Sequence, residues 1–214
     1  MPRIIRTVVY GIDELADAAK EKARAWYRQD GLRDEWYDFV YEDFGRICEI
    51  LGVTLATRAV RLHGGGTRDR PQIYWTGFWS PGDGASYEGA YCHARGSGKA
   101  IRSYAPKDGK LHRIADALQD VQRRNVWQLH ASIRQQGRHF HEYTMAVEVE
   151  RDSPVRQPPT DGAEDAVTEA LRDLARWLYR RLREEYEHET SDEAVDEALS
   201  ANDWTFTAEG KRFG

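Results

Sequence analysis

Alternation of apolar and polar positions is clearest over residues 72–93, QIYWTGFWSPGDGASYEGAYCH. Ile73, Trp75, Gly77 and Trp79 alternate with Tyr74, Thr76, Phe78 and Ser80, the two-residue period of a strand. Pro81-Gly82-Asp83-Gly84 supplies a turn, after which Tyr87, Gly89, Tyr91 and His93 share a face. Pairing Ser80 with Ser86 sets Trp79 opposite Tyr87 and Trp75 opposite Tyr91. It also sets Gly77 opposite Gly89, leaving a notch whose simplest occupant is a neighbouring side chain. A second hairpin is expected over 125–150. Trp127, Leu129, Ala131 and Ile133 alternate up to Gln135-Gln136-Gly137, and His139, His141, Tyr143, Met145, Val147 and Val149 return. A three-residue loop would oppose Trp127 to Met145 and His130 to Glu142.

Helical spacing takes over elsewhere. Leu15, Ala19, Ala23 and Trp26 predict a helix capped by Asp13, and Trp36, Val40, Phe44, Ile47 and Leu51 predict one over 34–51. The short connection between them suggests an antiparallel α-hairpin. Leu111, Ile114, Ala115, Leu118 and Val121 mark a further helix, and Ala100, Ile101 and Tyr104 are expected to be buried just before it. Val167, Leu171, Leu174, Leu178 and Leu182 stripe a long helix over 161–187, and Thr190 with Glu193 reads as a capping box for a helix over 191–201. Strands are expected at 3–10, 53–62 and 204–213. Residues 63–71 read as a mobile hairpin loop; Gly64-Gly65-Gly66 lacks the following helix and GKS/T of a phosphate cradle. The sum is an α+β fold: a mainly antiparallel sheet of about five to seven strands with helices packed mainly on one face. It forms a single domain over 1–214, with sub-lobes over 1–150 and 160–214 joined by a linker holding three prolines.

Length and composition narrow the class. The 214 residues include seven Trp and eleven Tyr, enough for a substantial core. No apolar run approaches the roughly 18 residues of a membrane span, and the N-terminus lacks a secretory pattern. Cys48 and Cys92 match no metal spacing, so a cytoplasmic protein with reduced thiols is expected. The net charge of −5 is unevenly spread: residues 184–209 carry ten acids and no Lys or Arg, leaving the remainder near +5. Glu184, Glu185, Glu187, Glu189, Asp192, Glu193, Asp196 and Glu197 therefore form the candidate docking surface for a basic protein partner. Solvated helix faces are the plainer account of the same residues.

Candidate chemistry is sparse. His139 and His141, two apart on an expected strand, project to one side, and His93, Asp83 and Glu88 join them if the hairpins are neighbours. Imidazole with carboxylate suits zinc, iron or acid–base catalysis, but no local spacing enforces convergence. Histidines satisfied by ordinary hydrogen bonds are the preferred reading, with no metal and no cofactor. No nucleophile motif is present: G-x-S-x-G is absent, and Cys92 reads as a small packed residue. Tyr74, Phe78 and Tyr87 offer a stacking surface for nucleic acid, yet no adjacent basic groove is evident, so nucleic acid is not the expected partner.

Four blocks carry a resemblance: IDELADAAKEKARAWYR (12–28), GFWSPGDGASYEG (77–89), SYAPKDGKLHRIADALQDVQRR (103–124) and TSDEAVDEALSANDWTFTAEGKRF (190–213). In that order they resemble a family of small proteins from phages, plasmids and proteobacterial genomes. Some of its members are labelled antitoxins of toxin–antitoxin stability systems. Pro81 stands where the family pattern has Gln, which stiffens the turn. The resemblance implies an antitoxin-like or counter-defence binding protein of mobile genetic elements, without a catalytic motif to carry over. A metal-dependent or acid–base enzyme built on the sheet histidines is the alternative, and a nucleic-acid-binding protein the second.

Overall fold

The structure, a computed structural model, describes residues 6–32 and 35–213. The chain divides into two compact units, one of residues 39–182 and one made from the two ends, 1–38 and 183–214.

The larger unit is α+β. β1 (Val53–Leu55), β6 (Gly89–Cys92), β7 (Leu129–Gln135) and β8 (Met145–Arg151) form a four-stranded antiparallel sheet in the order β1-β6-β7-β8. Two ribbons accompany it: β2 (Thr57–Arg61) with β3 (Thr67–Pro71), and β4 (Ile73–Trp75) with β5 (Ala85–Tyr87). The expected five to seven strands thus become a sheet of four and two pairs. The division follows from three bends. The chain runs almost unbroken through β1–β2, β3–β4 and β5–β6, and each run changes partner at a single residue: Ala56, Gln72 or Glu88. At that point Ala56 N donates to Glu88 O (2.8 Å), Glu88 N to Gln72 O (3.0 Å) and Gln72 N to Ala56 O (2.8 Å). The ring satisfies backbone groups that the bends remove from the ladders.

Val53, Tyr91, Leu129, Ala131, Ile133 and Met145 form the buried face of the sheet. Three helices of this unit supply the apolar stripes that cover the core: α2 (Asp38–Leu51), α4 (Gly109–Arg124) and the first part of α5 (Ala163–Glu189). Within it Phe44 lies edge-on to Tyr87 at 5.4 Å, and the Tyr87 hydroxyl donates to Leu171 O on α5. Gln122, fully buried on α4, bonds both the carbonyl and the amide of Leu129, so its side chain acts as one more rung beside β7. It also donates to the Tyr91 hydroxyl, and burial pushes that phenol up to about 12. Asp108 caps α4 by accepting from Lys110 N and Leu111 N. In α3 (Ser97–Tyr104) Ile101 is buried as expected, whereas Ala100 and Tyr104 are exposed.

Both hairpins form with other registers than expected. β4 pairs Ile73 with Tyr87 and Trp75 with Ala85, because Trp79 and Ser80 belong to a long turn and the returning arm bends away at Glu88. Tyr91 faces Val53 and Ala131, not Trp75, and Gly77 does not meet Gly89. No notch exists there. Gly89 instead lies against β1, where an added Cβ would sit 2.2 Å from Thr54 O. In the second hairpin Leu129 pairs with Arg151 and Gln135 with Met145, so the loop has nine residues and includes a 3-10 turn over Glu142–Thr144.

In the smaller unit α1 (Asp17–Trp26) and α6 (Asp192–Ala201) bury Ile12, Leu15, Ala19, Ala23, Val195, Leu199 and Phe206 together. The expected α-hairpin is therefore replaced: α1 belongs to this unit and α2 to the larger one. Of the strand expected at 3–10, residues 3–5 lie outside the described residues, as does Asp34 of the second expected helix; Tyr10 forms a single antiparallel bridge with Phe206. Phe206 bridges Arg212 in turn, in place of a closing strand. The cap of α6 is Ser191, which accepts from Ala194 N, while Thr190 donates to Tyr186 O at the end of α5.

Two glycine substitutions should separate close approach from propensity. Gly89→Ala forces β1 and β6 apart and is expected to cost about 2–3 kcal/mol or more. Gly45→Ala, on α2 with nothing within 4 Å of the new Cβ, should stabilise by about 0.5–1 kcal/mol. Urea titration of both variants checks the pair.

Candidate functional site

The histidine–carboxylate group does not assemble. Asp83 is used by its own turn, Oδ2 accepting from Trp79 N (2.9 Å) and Ser80 N (2.7 Å). Glu88 Oε1 accepts from Gln135 N at 3.2 Å, tying the strand corner to the end of β7. His139 and His141 lie in the loop between β7 and β8, not on a strand. His139 contributes its carbonyl, which accepts from Gln135 Nε2 and Thr144 Oγ1. His141 packs against Gly84, and its Nδ1 accepts from Tyr143 N and lies 2.9 Å from Glu142 Oε2. His93 is elsewhere, its ring tilted 36° against that of Trp127 at 4.4 Å, before the start of β7. Burial holds its imidazole below the ordinary value. The length of β7 separates it from His139 and His141 by about 20 Å. Among the described residues no three of His, Cys, Asp and Glu are grouped to hold a metal ion.

On the open face of the sheet, Cys92 pairs in register with His130 and His130 with Glu150. His130 Nε2 lies 3.2 Å from Glu150 Oε2, so its carboxylate partner is Glu150 rather than Glu142. Cys92 is exposed, not packed, and no hydrogen bond joins its thiol to His130 among the described residues. The aromatic platform also dissolves: Tyr87 and Phe78 are buried, and Tyr74 stacks on Phe140 at 5.0 Å.

The acidic stretch splits by role. Asp196 takes a two-pronged bond from Arg24, Nε to Oδ1 at 2.8 Å and Nη2 to Oδ2 at 2.6 Å. Asp192 accepts from Arg24 Nη1 at 2.9 Å and from Arg28 Nη2. These carboxylates fasten α6 to α1, with the Arg24 side chain only 15% exposed. The hydrogen bond from Arg24 holds the Asp196 carboxyl below its ordinary value, against the smaller opposing effect of burial. Glu187 pairs with Arg183 one turn earlier on α5. Glu184 and Glu185 make contacts of their own. Glu193 and Glu197, one turn apart on α6, are exposed and form no ion pair among the described residues; half-buried Glu189 forms none either.

A third surface joins part of the strand expected at 53–62 to residues read from the sequence as a loop, which form β3. β2 and β3 form a ribbon whose strands carry Arg58, Arg61, Arg68 and Arg70 and one acid, Asp69. The available signal is arginine on either side of the glycines, Arg68 and Arg70 at two-residue spacing on one arm and Arg58 and Arg61 on the other.

A family model described as a domain of unknown function, DUF8835, matches residues 36–192. The chain belongs to that family. The matched span contains the whole larger unit and ends within the first turn of α6, so Glu193, Asp196 and Glu197 lie beyond it. No curated protein and no solved structure matches the chain. Among the described residues no helix is long and apolar enough to cross a membrane.

Asp196 makes acid sensitivity predictable. Its depressed pKa means that the folded state resists protonation more than the unfolded chain does. The stabilisation is complete above the ordinary value of 3.8 and is lost as pH falls through the folded value. Asp196→Asn should cost about 1–2 kcal/mol at pH 7, a partly exposed charged bond being worth less than a buried one. The gap from the unchanged protein should narrow as pH falls below 3.8 and through the lower folded value. Thermal melts at pH 7, 4 and 3 read this out.

Proposed function

We propose that this protein acts by binding rather than catalysis, as an antitoxin-like or counter-defence protein that docks a basic protein partner on its acidic C-terminal segment. The observation that carries the reading is the division of labour on α6. Asp192 and Asp196 are clamped by Arg24 and Arg28, while Glu193 and Glu197 stand exposed on the same helix without ion partners among the described residues. The clamp fixes the helix, so the outward carboxylates are presented in one arrangement with little ordering left to lose on association. One-signed charge on such a face speeds encounter with a basic surface. The separation of His93 from His139 and His141 favours this reading over the enzyme alternative.

The partner to test is the product of the neighbouring gene. A one-to-one complex is expected, weakened at least tenfold by Glu193→Lys with Glu197→Lys and weakened by raising NaCl from 50 to 300 mM. Asp196→Asn should act through stability instead, lowering the melting temperature more than the affinity. Isothermal calorimetry beside thermal melts separates the two. A complex indifferent to salt and to the Glu193/Glu197 pair would sink the proposal. His139→Ala and His141→Ala should leave affinity unchanged.

A further inference from the structure

The β2–β3 ribbon is unlike every other strand pair described in the protein, because neither of its faces is covered. Of its ten strand residues only Val60 and Pro71 are even partly buried. It pairs with no third strand among the described residues, so both outer edges are open as well. A bare two-stranded ribbon is marginal by itself, and here it is held at one end by the ring joining Ala56, Gln72 and Glu88. The register sorts its charges. Arg58 faces Arg70 and Val60 faces Arg68, so three arginines share one face, whereas Asp69, opposite Ala59, is on the other. Directly opposed like charges destabilise a strand pair. Arg58, Arg61 and Arg68 form no ion pair among the described residues. Edge protection calls for charge but not for segregation of arginine from acid. The tip, Gly64-Gly65-Gly66, is exposed and has open space where each Cβ would be, so it adds no bulk.

We infer that this ribbon is a phosphate-binding arm that enters a groove of double-stranded nucleic acid. Charge complementarity supports it: four arginines and one aspartate give the segment a formal charge of +3 within a protein of −5. Shape supports it too. Five-residue strands make an arm about 14 Å long, and a major groove about 12 Å wide admits a two-stranded ribbon. Arginine's planar fork suits phosphate oxygens and guanine edges alike. This surface is independent of the acidic one.

The test is fluorescence anisotropy with a labelled mixed-sequence 20-base-pair DNA duplex and the full chain, between 50 and 200 mM NaCl. Binding should weaken steeply with salt. Arg58→Gln, Arg68→Gln and Arg70→Gln together should reduce affinity at least tenfold and lower the log–log salt slope by about 2–3, near 0.9 for each phosphate no longer neutralised. The variant's circular dichroism and melting temperature should match those of the unchanged protein. Arg68→Gln alone, a single exposed side chain, should lower the slope by about 1. Lys99→Gln with Arg113→Gln, on α3 and α4, should change nothing. The inference is overturned by absence of duplex binding at 50 mM NaCl, by a triple variant that binds as well as the original, or by tighter binding to heparin or phosphatidylserine vesicles than to the duplex.

Discussion

Three backbone hydrogen bonds, joining Ala56, Gln72 and Glu88 in a closed cycle, determine how the strands of the larger unit are shared. A strand that bends out of a ladder leaves its amide and carbonyl without their neighbours, and such groups left unpaired cost as much as a lost hydrogen bond. Here three strands bend at one point, and each supplies the donor that another lacks. The arrangement lets three runs of chain make one sheet and two ribbons with these groups paired at the junction. Close approach is part of the same constraint: Gly89 follows Glu88 because β1 leaves no space for a Cβ. Glu88 adds its side chain, accepting from Gln135 N, and so ties the corner to β7.

The junction explains why the two ribbons differ. β4–β5 packs inward, with Ile73, Ala85 and Tyr87 buried and the Tyr87 hydroxyl bonded to α5. β2–β3 leaves the same corner and carries almost no apolar side chain to bury, so it stays exposed on both faces. Hydrophobic content thus decides which ribbon becomes core and which becomes a projecting surface.

Charge is organised by the same rule of local completion. The acids of 184–209 look uniform in sequence, yet Arg24 and Arg28, far away in the chain, claim Asp192 and Asp196. In the larger unit Arg176 is likewise held by Glu142, Glu169 and Asp173, and Lys110 by Asp173. Such partly buried, multiply bonded pairs fix geometry more than they add stability. Glu193 and Glu197 on one unit, and Arg58, Arg61 and Arg68 on the other, form no ion pair among the described residues.

Local pattern alone determined the fold class and most helices. The stripe Leu111, Ile114, Ala115, Leu118 and Val121 is buried as its spacing requires, as are Val167, Leu171, Leu174, Leu178 and Leu182. It also located most strands, because alternation depends only on nearest neighbours, but it read β3 as a loop and expected a strand over 204–213 where only isolated bridges form. Register escaped it. Pairing depends on where a strand bends and how long a loop is, and a nine-residue loop replaced three because His141 and Thr144 build a 3-10 turn there. Partnership between distant residues escaped it as well: Arg24 and Asp196 are 172 positions apart. The sequence determined which segments bury and which carry charge; tertiary structure decided which charges cancel, since cancellation requires proximity and proximity across the chain leaves no periodic trace.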